Sequence, residues 1–216
     1  MTHGIDYAEA FKVICSQDLE KPMRTYLEHE PVKNHFDRIP LVSIIIRTTN
    51  RPELADALIS ISTQIHPKVE VILVDVNGSG NIATEQWCGQ FPVILASKGK
   101  HLNRGEAANL GLDSAQGDYI GFLDDDDWLL PNHVSSLVDA LSNTPLCRAA
   151  FSGVVCRQVK ADGSWQTVKT FNEEYDSIRL LFENYIPIHA VVFRRELLES
   201  GLRFDESLNV YEDWDF

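Results

Sequence analysis

Positive charge is scarce in this sequence. Lysine and arginine number 19 against 32 aspartates and glutamates, a formal net charge of −13 over 216 residues. Broad nucleic-acid binding needs a basic surface to displace counterions, so that class is excluded. A phosphate ligand is not, because a bound metal supplies positive charge locally. Long apolar runs are missing too: none approaches the roughly 20 residues that a membrane-crossing helix needs. The start of the chain, MTHGIDYAEAFKVICSQDLEKP, has no basic stretch followed by an apolar core and is not a secretory signal. Cysteines stand at 15, 88, 147 and 156 with no C-x-x-C pair, so neither a zinc nor a redox site is signalled. They read as buried or incidental thiols of a reducing compartment. The cytoplasm is the expected location. Peripheral attachment at the inner face of the membrane, and additional domains in a longer protein, stay open.

What is present is a core. Hydrophobic residues make up 44% of the chain, enough for one folded domain. Residues 1–40 are polar, read as a partly helical N-terminal extension (IDYAEAFKVI, MRTYLEHE), and are closed off by Pro40. From 41 the pattern changes. LVSIIIRTT (41–49), VEVILVDV (69–76), PVILAS (92–97) and DYIGFL (118–123) are short runs rich in branched residues, expected of strands covered on both faces. Between them, Leu54, Leu58 and Ile61 mark one helical stripe, and EAANLGLDSAQG (106–117) marks a second helix. A third helix starts near Pro131, with Val134, Leu137, Val138 and Leu141 on one face. This order predicts an α/β fold with a mostly parallel, doubly wound sheet, in which ligands bind beyond the carboxyl ends of the strands. Farther on, ADG reads as a hairpin turn, EYDSIRLLFEN as a helix by its stripe of Ile178, Leu181 and Phe182, and PIHAVVF as a late strand.

One of the expected strand ends carries FLDDDDWLLP, four aspartates in a row at 124–127. Crowded carboxylates repel one another, and some would take up protons rather than stay charged. A divalent cation removes the conflict. Mg²⁺ or Mn²⁺ prefers oxygen ligands, takes one or two protein carboxylates, and leaves its other positions to water and phosphates. The plain alternative is a solvated acidic turn, with Asp127 capping the next helix.

Four segments, LVSIIIRTTNRP, EVILVDVNGS, GDYIGFLDDDDWLLP and VYEDWDF, resemble the motifs of family 2 glycosyltransferases with the GT-A fold, in order and in spacing, over residues 41–216. The resemblance implies transfer of a sugar, with inversion, from a UDP-, dTDP- or GDP-linked donor to a glycan or lipid-linked acceptor. It implies a divalent cation, Mg²⁺ or Mn²⁺, held by Asp124 and Asp126 as the ends of a D-x-D motif, with Asp125 facing the donor ribose or sugar. Thr48, Thr49 and Asn50 match the nucleobase and ribose pocket, where a frequent tyrosine is absent. Asp75 matches the acid that binds base or ribose; Val76 then departs from the family pattern, and Asn77 is the better chemical substitute for the second acid. Asn109 and Gly111 match the stretch before the fourth strand. Ala108 replaces a frequent arginine, whose charge Arg104 would supply. Lys98, Lys100 and His101 are expected in solvent. In YEDWDF, Asp213 corresponds to the catalytic base, Glu212 to a residue orienting the acceptor, and Trp214 to a sugar-stacking face. His189 falls near the acceptor side.

The leading expectation is thus a metal-dependent inverting glycosyltransferase whose C-terminal part lies beyond residue 216. The alternative is a non-catalytic nucleotide-sugar-binding or scaffolding domain of a larger protein. A phosphohydrolase with an aspartate nucleophile would carry its Asp-x-Asp on the first strand with a small hydroxyl residue behind it. Here the aspartates end the fourth strand and precede Trp128.

Overall fold

Branched residues in alternation build the centre of the sheet. In β2 (Val42–Thr48), Val42, Ile44 and Ile46 face one side and Ile45 the other. The computed structural model describes residues 38–82 and 88–216 and the backbone of 11–15. β1 is Phe11–Cys15, so this part of the expected helical extension is a strand; the rest of residues 1–37 lies outside the described residues. β3 (Val69–Asp75), β4 (Val93–Ala96), β5 (Tyr119–Asp124), β6 (Cys147–Ser152) and β9 (Val191–Arg194) complete a seven-stranded sheet of order β1-β6-β9-β5-β2-β3-β4. The β5-β2-β3-β4 ladder is parallel, as expected, whereas β9 runs antiparallel to both β5 and β6, and β1 antiparallel to β6.

Helices cover both faces. α1 (Leu54–Ser62) and α3 (His133–Asn143) pack Leu58, Ile61, Leu137 and Leu141 against Ile44, Ile46, Leu73 and Leu123. Each such fully buried side chain contributes about 1.5–3 kcal/mol. On the other face α2 (Arg104–Ser114) lays Ala107, Ala108 and Leu112 on Ile45, Ile72 and Val74. Gly111 lets that helix lie close, since a Cβ there would strike the Ile45 side chain. A capping box starts α2: the Asn103 side chain accepts from the Glu106 N–H (2.8 Å), and Glu106 accepts from the Asn103 N–H (2.9 Å).

Two expectations change here. α3 begins after Asn132, so Asp127 does not cap it. Cys88 and Cys156 are free thiols, but Cys147 is disulfide-bonded, against the reading of all four as thiols. Burial pushes the Cys88 thiol up to about 11, so it is a packing residue.

After β6 the chain leaves the sheet. β7 (Val154–Val159) and β8 (Trp165–Phe171) form the expected hairpin as a separate two-stranded ribbon. The helix expected over 174–184 is one turn, α4 (Ser177–Leu180), and its apolar stripe is not buried: Ile178, Leu181 and Phe182 are 70%, 74% and 78% exposed. Two further short helices are α5 (Glu196–Glu199) and α6 (Glu212–Asp215). No helix among the described residues is long and apolar enough to cross a membrane.

Candidate active site

Register brings three strand ends to one edge. Arg47 on β2 pairs with Asp124 on β5, and Thr48 pairs with Asp75 on β3. The polar residues that close these buried strands therefore emerge side by side.

The four aspartates point in different directions. Asp124 ends β5 and its Oδ1 lies 3.4 Å from the Arg47 guanidinium. Asp125 turns inward and is 3% exposed; the Thr48 hydroxyl donates to it (2.6 Å) and the Arg51 guanidinium donates to its other oxygen. It thus clamps the end of β5 to the turn after β2 instead of facing outward. Asp126 is half exposed and meets Arg51 at 3.1 Å. Asp127 lies 3.2 Å from Nδ1 of His189.

Asp124, Asp127 and His189 each offer a ligand atom, and these atoms all lie within 4.8 Å of one another. Burial pushes the Asp127 carboxyl above the usual aspartate range; His189 opposes that rise, while Asp124 and Asp126 add to it. This is the conflict a divalent cation relieves, and two carboxylates with one imidazole are a suitable donor set for one. The resemblance gave the metal to Asp124 and Asp126; the structure groups Asp124 with Asp127 and His189. His189 reaches the cluster because a short 3-10 turn, Ile188–Ala190, precedes β9.

On the β3 side, Asp75 is 1% exposed and organises its own loop. It accepts from the N–H of Asn77 (3.1 Å), Gly78 (3.0 Å) and Gly80 (2.6 Å) and from the Ser79 hydroxyl (3.0 Å). Burial alone pushes this carboxyl up, but the bonds from Gly80, Ser79, Asn77 and Gly78 outweigh it and hold the group below its ordinary value. All four acceptor positions of the carboxylate are filled, so its work here is to shape the loop. Gly78 has φ +68°, and a Cβ there would collide with the Lys100 backbone. Val76 packs its side chain toward the α2 face, while Asn77 is exposed and its amide donates to the Thr49 carbonyl (3.3 Å). Asn77, not Val76, therefore stands in solvent beside Thr49. Thr49 and Asn50 are exposed beside it, with Asn50 at φ +67°, a conformation asparagine tolerates better than most residues. Lys98, Lys100 and His101 are in solvent, as expected.

The second cluster comes from the last turn of the chain. Glu212 is 1% exposed, and its Oε1 accepts from Arg47 (3.1 Å) with Arg104 3.9 Å away. Its Oε2 has no hydrogen-bond partner among the described residues. Arg47 thus spans the two clusters, touching Asp124 with one nitrogen and Glu212 with another. Asp213 is partly exposed, 3.5 Å from the Asn184 amide. The Trp214 indole N–H donates to the Leu180 carbonyl (2.6 Å), which fixes the ring, and Phe216 stacks on Phe204 in the core. Asn109 is used structurally: its amide exchanges hydrogen bonds with the Phe204 backbone (both 3.0 Å) and donates to Glu206 (2.9 Å).

Sequence reasoning assigned no role to Arg47, Arg51 or the Asp127–His189 pair. A charged residue closing an apolar strand run, as Arg47 does, is the signal that would have found the first. Nothing local in sequence announces that His189 meets Asp127, because 62 residues separate them and the contact depends on where β9 enters the sheet.

A family model described as glycosyl transferase family 2 matches residues 43–202. The chain is 27% identical over 179 residues to an uncharacterized glycosyltransferase, YwdF, of Bacillus subtilis, covering 81% of this chain and 66% of that protein. It is 28% identical over 180 residues to an uncharacterized glycosyltransferase of Haemophilus influenzae, covering 82% and 60%. The chain thus spans less than two thirds of the length of either relative. Among solved structures it resembles S. aureus TarS 1–349 in complex with UDP-GlcNAc, with a TM-score of 0.58 at 17% identity, covering 81% of this chain and 51% of that one. It also resembles the mannosyltransferase PcManGT of Pyrobaculum calidifontis in complex with GDP-Man and Mn²⁺, with a TM-score of 0.56 at 19% identity, covering 90% and 54%. At such identities the likeness concerns the fold.

Proposed function

Because this chain belongs to glycosyl transferase family 2, we propose that it is a metal-dependent glycosyltransferase moving a sugar, with inversion, from a nucleoside diphosphate donor to a glycan or lipid-linked hydroxyl. The observation that carries this reading is the Arg47 bridge, which holds the aspartate corner and the Glu212–Asp213 turn against one another at the carboxyl edge of the sheet. Two reactants held in one geometry gain several orders of magnitude in rate over free encounter, and this edge offers a station for each.

In this reading the nucleotide lies over Thr49, Asn50 and Asn77, on the loop shaped by Asp75. Asp124, Asp127 and His189 hold the cation, and the imidazole favours Mn²⁺ as the softer of the two candidates. When bound, the cation neutralises charge that develops on the leaving diphosphate. Asp213, partly exposed and on the opposite cluster, takes the proton of the acceptor hydroxyl. Glu212 and Arg104 orient that turn, and Arg47 keeps the buried Glu212 carboxylate compensated.

Calorimetric titration with UDP, GDP, dTDP and CDP, each with and without Mn²⁺, tests the donor site. Metal-dependent binding of one nucleotide, lost in Asp124→Asn, is expected. No binding of any nucleotide would sink the reading. Binding without transfer to any acceptor would favour a nucleotide-sugar-binding domain.

A further inference from the structure

Two tryptophans beside the aspartate corner are left half in water. Trp128 follows Asp127 directly and is 49% exposed; Trp165 opens β8 and is 52% exposed. Their rings meet edge to face, centroids 5.5 Å apart at 86°. The two rings adjoin, so together they make one exposed aromatic patch. The placement is informative. The ribbon β7–β8 leaves the sheet after β6, on the far side of β5 from β2 and β3. Its turn-proximal end, where Trp165 pairs with Val159, comes back over the chain segment that follows the aspartates. The ribbon thus reaches the corner from the half of the sheet opposite the proposed nucleotide pocket.

The ribbon itself is mostly in solvent. All but the last residue of β8 are exposed, Val155, Val159 and Val168 among the exposed positions of the two strands. A two-stranded ribbon is marginal by itself, so the Trp128–Trp165 contact docks it. Docking alone would be served by any apolar pair and would favour covering it. Two large indoles crossed at right angles instead leave about half of each residue in water, with a polar N–H on each ring.

We infer that Trp128 and Trp165 form a stacking subsite for a pyranose ring of a carbohydrate acceptor, one unit or more from the hydroxyl that reacts. The ligand class follows from the chemistry. A pyranose has an apolar C–H face that matches an indole and a rim of hydroxyls that match carboxylates, and the half-exposed Asp126 is two residues from Trp128. A nucleobase would also stack, but the pocket edge at Thr49, Asn50 and Asn77 lies at β2 and β3, across β5 from the ribbon. As an acceptor subsite the inference rests on the proposed transferase reading; as a sugar site it stands on the tryptophans alone.

The test uses the 216-residue chain without nucleotide or metal. Indole N–H signals, assigned by variants, are followed by NMR during titration with uncharged saccharides: cellobiose, N,N′-diacetylchitobiose, lactose and maltose. Saturable shifts of the Trp128 and Trp165 signals at millimolar concentrations of at least one saccharide are expected. Trp165→Phe keeps a ring and should bind within about twofold of the parent. Trp165→Leu keeps only an apolar dock and should bind at least about fivefold more weakly. Nucleotide affinity should be unchanged in both. Absence of any shift across the panel, or equal binding by the Leu and Phe variants, overturns the subsite. Loss of nucleotide binding with saccharide shifts intact would defeat the transferase reading instead and leave the sugar site standing.

Discussion

The parallel half of the sheet and the segment after β6 treat their apolar residues in opposite ways. In β2, β3 and β5, Ile44, Ile45, Ile46, Leu73 and Leu123 are at most 1% exposed, and the polar residues that end the strands are tied to each other. In β7, β8 and the residues just after α4, Val159, Val168, Leu181 and Phe182 are all more than half exposed. The first region is held by its own packing. The second keeps much of its apolar surface outside, and its contacts with the rest include Trp165 on Trp128 and the Trp214 indole on the Leu180 carbonyl. In the proposed reading, the packed half is the donor platform and the exposed half the acceptor side, where specificity can change without disturbing the core.

The sharpest way to break the comparison is to separate the two sides chemically. Asp213→Asn should lower transfer by about 10²–10⁴-fold while nucleotide affinity stays within about twofold; a parallel fall in both would mean that the two sides are one. Next in size is stability. Leu58→Ala, in the core under β2, should cost about 2–5 kcal/mol in urea unfolding. Leu181→Ala should change stability by no more than about 0.5 kcal/mol. Similar losses at both positions would show that α4 is packed in solution. Third, the metal assignment can be divided between aspartates. Asp127→Asn and His189→Ala should each weaken Mn²⁺-dependent nucleotide binding by about 10–100-fold, and Asp126→Asn by less, because Asp126 lies against Arg51. The reverse order would restore the D-x-D assignment.

A fourth test is a pH dependence. Burial, with His189 adding, pulls His133 down from 6.5 to about 4. Between those values the unfolded chain binds a proton at this site and the folded chain does not, so stability should fall as pH drops from about 6.5 to about 4, and this contribution should flatten below that. His133→Gln should reduce that slope; an unchanged slope would place the proton elsewhere.

Much of this fold was legible because its core strands are apolar runs and its helices carry stripes at helical spacing. α1, α2, α3 and the four strands of the parallel ladder follow from stripes such as Leu54, Leu58 and Ile61 and from runs such as VEVILVD. The reading failed where the same periodicity meets no partner: Ile178, Leu181 and Phe182 have helical spacing, yet nothing among the described residues covers them. Phe11–Cys15 lies in a stretch expected to be helical (IDYAEAFKVI), because its strand is created by pairing with β6, far along the chain. At the site, the aspartate corner and Glu212–Asp213 announced themselves. What each carboxylate does was not readable, because Asp125 turning to Thr48 and Arg51, and Asp127 turning to His189, are decisions of tertiary packing.

Arg47 also constrains how this chain can change over generations. Its guanidinium is the nearest cation to a buried glutamate, Glu212, and the same group meets Asp124. Removing one partner of a buried pair is far more damaging than never having had it. Drift at position 47 is therefore closed while Glu212 is present, and a lineage that replaces the arginine must first neutralise the glutamate. Positions 47, 124 and 212 form a single heritable unit, although 165 residues separate its ends.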